Sequence, residues 1–132
     1  MRDFRGLKVW EKAHVLALQV YGASAAFPRA EMFGLTSQVR RASTSIPSNL
    51  AEGCGRRSDR ELARFAAIAM GSACELEYQL LLSRDLGYLT GGRHEELDAG
   101  VVEVKKMLTA LMARLSAGGP SKAGPPSAGS MA

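Results

Sequence analysis

Toward the C-terminal end, Leu97, Val101, Val104, Leu108, Leu111 and Leu115 recur at alternating steps of four and three. That spacing lines one edge of a helix and forms the seam of a helix bundle. Met107 and Met112 flank it, either as core filling or as a second contact surface. An earlier stretch, Leu35, Val39, Ala42, Ile46 and Leu50, steps by four, three, four and four. It predicts a second helix that starts between Glu31 and Thr36 and stops near Cys54. Between Lys8 and about Ala26, Trp10, Ala13, Ala17, Val20 or Tyr21, and Ser24 fall on one side, widened by Val9 and Leu16. From Ser58 to about Leu86, Leu62, Phe65, Ala66, Ala69, Ala73, Leu76 and Leu80 do the same. Four amphipathic helices follow.

The boundaries carry their own signals. Phe27-Pro28 ends the first helix, because a residue before proline avoids helical geometry, and Phe27 can fold back as an apolar plug. Gly53 and Gly55 offer a left-handed end to the second helix, and Gly87 closes the third. Ser58-Asp-Arg-Glu61 has the form of a capping box. Tyr88 and Leu89 are expected to cover the end of the bundle, ahead of a flexible turn at Thr90-Gly-Gly92. The small-residue run Gly71-Ser72-Ala73-Cys74 lies inside the third helix. An interior glycine costs about 1 kcal/mol against alanine, so close packing there is the expected compensation.

Pro47 lies inside the second helix, where it lacks the N–H that would bond the Ser43 carbonyl. A kink is expected, with the Thr44 and Ser45 hydroxyls bonding freed carbonyls; a break into two helices is the alternative. The fold class is therefore all-α: an up-and-down antiparallel four-helix bundle with a proline-kinked second helix over residues 1–116. Residues 117–132 form a Gly/Pro/Ser-rich tail expected to be disordered.

Composition narrows the classes. With 132 residues, 46% of them hydrophobic, the chain makes one domain. No apolar stretch approaches the roughly 20 residues that span a bilayer. A cytoplasmic protein without a membrane partner is expected, with Cys54 and Cys74 unpaired. Residues 1–64 hold eleven Lys and Arg against six acids, whereas 65–116 hold five against seven. Positive charge gathered in one half attracts phosphate backbones, although such charge is also common on a solvated surface.

The polar side of the second helix carries Arg40, Arg41, Ser45, Asn49 and Glu52. A short connection makes helices two and three antiparallel, which puts Gln38 and Arg41 at the level of Glu75. A buried or subunit-facing network of Gln38, Arg41, Ser45, Asn49, Glu52 and Glu75 is expected, with Arg41 gripping Glu75 by two prongs. His14 has no second histidine or cysteine three or four positions away and is expected to be a structural helix histidine. The chain lacks a phosphate-cradling glycine loop, zinc-spaced cysteines, an HExxH helix and a nucleophile elbow. The expectation is a non-enzyme with no cofactor and no metal.

Several of these segments carry a resemblance. Phe33-Gly-Leu-Thr-Ser-Gln-Val-Arg-Arg-Ala42, Ser45-Ile-Pro-Ser-Asn-Leu-Ala-Glu-Gly53 and Gly55-Arg56 resemble the signature of small four-helix-bundle proteins encoded in intervening sequences of bacterial large-subunit ribosomal RNA genes. The likeness continues through Val9-Trp10, Phe27-Pro28, Glu75-Leu76-Glu77 and Leu86-Gly-Tyr-Leu89, and covers residues 4 to about 115. It implies a bundle assembled as a ring-like homopentamer, with no established enzymatic activity. The accessory protein of diversity-generating retroelements, which partners a reverse transcriptase and nucleic acid, is more distantly similar.

Two functions are consistent with these readings. In the first, Arg40, Arg56, Arg57, Arg60 and Arg64 line a basic surface that binds RNA or DNA through phosphates. In the second, the chain is a structural or protein-interaction module that docks a reverse transcriptase or another protein.

Overall fold

The computed structural model describes residues 2–117, so the tail beyond Ala117 lies outside the described residues. Four helices form as expected: α1 (Lys8–Ser24), α2 (Leu35–Cys54), α3 (Asp59–Asp85) and α4 (Gly91–Ala117). Two single 3-10 turns, Phe4–Gly6 and Arg29–Glu31, precede α1 and α2. Helix α1 packs on α2, α2 on α3, α3 on α4 and α4 back on α1, closing an up-and-down bundle.

The core is the set of stripes read from the sequence. Leu97, Val101, Val104 and Leu108 of α4 are fully enclosed, as are Val39, Ile46 and Leu50 of α2. Helix α1 departs in one respect. Val9 and Leu16 occupy the core beside Ala13 and Val20, while Trp10 sits half-buried on the outer flank and stacks on the exposed His14 ring at 5.1 Å.

Helix ends follow from local hydrogen bonding. Gly87, at φ 83°, ends α3. Its N–H donates to the Arg84 carbonyl at 2.9 Å, and the Tyr88 N–H donates to Ser83 at 2.8 Å. These two bonds form the left-handed cap that only glycine adopts without strain. Thr90-Gly-Gly92 is not a flexible turn. The Thr90 hydroxyl accepts from the Arg93 N–H at 3.0 Å, so both glycines enter the first turn of α4. Ser58 accepts from the Glu61 N–H at 3.1 Å, while the Glu61 carboxylate pairs with Arg64 at 3.3 Å; the box is half formed.

Helix α2 runs unbroken through the buried Pro47, which excludes two separate helices. Continuity through Pro47 is the part of that expectation seen here; it does not establish a kink. Nor do the nearby hydroxyls turn to the Ser43 carbonyl. Thr44 donates to Arg40 O at 3.0 Å and to Arg41 O at 3.2 Å, and Ser45 reaches across to Ser72 at 2.8 Å. No described helix is long and apolar enough to cross a membrane.

Candidate nucleic-acid interface and the polar face of helix two

The α2–α3 turn is built around a close approach. A Cβ on Gly53 would lie 2.8 Å from Leu62 Cδ1 and 2.9 Å from Phe65 Cβ, so the last turn of α2 touches the first turns of α3. Neither Gly53 nor Gly55 is left-handed: Gly53 is helical and Gly55 has φ −77°. The glycine at 53 is there for contact, and the chain turns through Gly55 and Arg56, whose N–H donates to the Gly53 carbonyl at 3.1 Å.

This contact places four arginines at one end of the bundle. The Arg56 and Arg64 guanidinium groups lie over the Phe65 ring at 5.1 and 4.7 Å. Arg56 also pairs with Glu52 at 2.9 Å, and Arg64 pairs with Glu61. Arg57 and Arg60 are exposed and, among the described residues, meet no carboxylate. Arg2 joins this end, its N–H donating to the Cys54 carbonyl at 3.0 Å and its side chain pairing with Asp59 at 2.7 Å. Residues 2–12 and 52–64, at this end, hold eight Lys and Arg against five acids. Residues 29–31 and 84–98, at the opposite end, hold three against five. The bundle is electrically polar along its axis.

Arg40 stands apart from the other four. Sixteen residues before Arg56, it is roughly 24 Å away along the helix at 1.5 Å per residue. Its Nε donates to Ser24 Oγ at 2.8 Å, Nη2 donates to the Tyr21 carbonyl at 3.3 Å, and the guanidinium lies over the Tyr21 ring at 4.7 Å. It therefore ties α2 to the end of α1, where orphan carbonyls favour a cation.

The polar network exists only in part. Ser45 bonds Ser72, and the Asn49 amide donates to the Ser45 carbonyl at 2.8 Å and hydroxyl at 3.0 Å. Gln38, Arg41 and Glu75 line one hollow of about 480 Å³ between α2 and α3, so the expected register holds. Yet all three are exposed, and no hydrogen bond joins Arg41 to Glu75 among the described residues. The hollow keeps the two walls apart. Glu52 belongs instead to the turn, with Arg56. The close approach expected at Gly71 is absent: a Cβ there would meet nothing within 4 Å.

The sequence pattern assigns Glu31 no role beyond the start of α2. One carboxylate oxygen accepts the Leu35 N–H at 3.0 Å, capping α2, and the other accepts the Tyr88 hydroxyl at 2.9 Å. The Leu35 N–H, then the Tyr88 hydroxyl, lower its pKa, while Glu31 raises that of Tyr88. The Phe27 ring packs on Tyr88 at 5.5 Å, completing the plug. Acid spacing hints at such a cap, but the tyrosine partner lies 57 residues away and leaves no local signal.

For chemistry, the described residues hold no cluster of three or more metal-binding side chains. Cys54 is buried and its thiol is pushed up, first by desolvation, which makes it a poor nucleophile. Cys74 is exposed and also free.

A family model described as 23S rRNA-intervening sequence protein matches residues 5–110. Six chains of known structure match. One is a protein with unknown function from the S23 ribosomal protein family of Bacteroides thetaiotaomicron, 25% identical to this chain, with a TM-score of 0.71. The alignment covers 79% of this chain and 97% of that one. No curated protein matches.

Proposed function

This chain belongs to the 23S rRNA-intervening sequence protein family, and from that premise we propose that it is a non-enzymatic bundle that binds RNA or DNA through its basic end. The observation that supports the reading is Arg57 and Arg60, two exposed cations without carboxylate partners at the positive pole. Arg56 and Arg64, held against Phe65, flank them. Such groups meet phosphates, which position a nucleic acid without reading its sequence. Assembly into a ring of like subunits, a pentamer by the family resemblance, would repeat the pole and multiply its pull on a polyanion. Arg40, engaged with α1, and the Glu75 hollow are outside this contact.

The test is a binding titration with duplex DNA and single-stranded RNA across a salt series. Each phosphate neutralised contributes about −0.9 to the slope of log K against log salt for duplex. Arg57→Ala with Arg60→Ala should flatten the slope by about 2 units for duplex DNA. Binding that ignores salt, or a slope unchanged in the variant, would refute the reading.

A second reading, a cytoplasmic protein-interaction module, is favoured by Phe33, which is 94% exposed beside the exposed Met32. A reverse transcriptase, suggested by the more distant resemblance, belongs to this reading. Substituting Arg56, Arg57, Arg60 and Arg64 by alanine separates the two, because nucleic-acid binding would vanish while protein docking persisted.

A further inference from the structure

Helix α1 has two apolar edges, and the bundle uses only one. Val9, Ala13, Leu16 and Val20 face the core. Trp10, Leu18 and Tyr21 face outward and line a hollow of about 380 Å³ whose other wall includes Pro47 and Ala51 of α2. Leu18 is 60% and Tyr21 45% exposed. Beyond Tyr21 the surface continues into a second hollow bounded by Met32, Phe33, Arg40 and Arg41. No carboxylate lines either hollow, and among the described residues neither arginine forms an ion pair. An apolar furrow thus ends at Arg41, exposed and without an ion pair, beside Arg40, whose guanidinium is already bonded to Ser24 and the Tyr21 carbonyl.

We propose that this α1–α2 face docks an amphipathic helical segment of a partner protein, with its apolar stripe in the furrow and an acidic residue against Arg41. The proposal rests on the second reading above and gives it a partner chemistry. Contiguous exposed apolar surface of this kind marks an interaction site. Trp10 to Tyr21 spans about three turns, roughly 17 Å, the length a short helix occupies when it lies in a groove between two others. Trp10, Tyr21 and Arg41 are of the side-chain types that dominate binding energy, and the one-signed charge selects against a basic partner.

The test uses the full chain and three synthetic peptides that share one helical apolar stripe and differ in their flanking positions: glutamate, serine or lysine. Fluorescence anisotropy should show the glutamate peptide binding at least about tenfold tighter than the other two. Leu18→Lys and Phe33→Ala should each weaken it by about tenfold or more, and Arg41→Ala should erase the preference for glutamate. Circular dichroism confirms that each variant is folded. Equal binding of the glutamate and serine peptides, lost in Leu18→Lys, would overturn the acidic partner while leaving protein docking in place. Binding of no peptide would overturn both. Sedimentation showing that Leu18→Lys splits an oligomer into monomers would assign the face to a second copy and overturn the proposal.

Discussion

Replacing Gly53 and Gly71 by alanine, one at a time, should shift stability in opposite directions. In a helix interior the replacement gains about 1 kcal/mol from backbone entropy alone. At Gly71 the added methyl meets nothing within 4 Å, so the full gain is expected. At Gly53 it lands 2.8 Å from Leu62 Cδ1, 2.9 Å from Phe65 Cβ and 3.3 Å from Leu62 Cα. The Leu62 methyl can swing aside. The other two atoms are fixed to the α3 backbone, so the helices themselves must part. Overpacking of this kind costs about 1–3 kcal/mol; taking about 2 and subtracting the propensity gain of about 1 leaves a net loss of about 1 kcal/mol. The two variants should therefore differ by about 2 kcal/mol, or roughly 8 °C in Tm for a domain of this size. Thermal and urea unfolding followed by far-ultraviolet circular dichroism measures both. Equal stabilisation by the two substitutions would show that α2 and α3 are not in contact at Gly53, and the platform for Arg56 and Arg64 would fall with that contact.

Three further outcomes are expected. Leu97→Ala removes a fully enclosed side chain of α4 and should cost about 2–5 kcal/mol in urea denaturation; a loss under about 1 kcal/mol would mean the seam is loosely filled. Stability should depend on pH at both extremes through Glu31 and Tyr88. The carboxylate is lowered from its ordinary 4.5, so its contribution is present above that value and is lost as pH falls through the depressed one. The phenol is raised from 10.0, so its contribution is complete below 10.0 and is lost as pH climbs through the raised value. Glu31→Gln should flatten the acid limb, and an unchanged acid limb would disprove the link. With a thiol reagent and mass spectrometry, Cys74 should label in the folded protein and Cys54 only on unfolding; rapid labelling of both would show that the α2 end is open.

Much of the fold could be read because each core stripe is local. The α4 seam repeats within a single helix, and its six residues are all buried. What failed was the assignment of residues whose roles depend on a second helix. Gly71 and Gly53 are both helical glycines, but Gly53 continues the line of Ile46 and Leu50, whereas Gly71 sits between stripe positions. That phase was the available signal. Trp10 neighbours Val9, and periodicity alone does not decide which of two adjacent apolar residues turns inward. For Arg41 and Glu75 the register was correct, but register fixes height along the helices and leaves open the width between two side chains. Arg40 is of the same type as the other arginines, and only the rise of the helix separates it from them.

The contacts that close the two ends of the bundle, Arg2 with Asp59 and Glu31 with Tyr88, each join residues 57 positions apart. Each therefore closes a long loop, and the entropy of that closure is set against a single hydrogen bond. Each end of the bundle is thus fastened by a bond that no single helix or hairpin could supply alone.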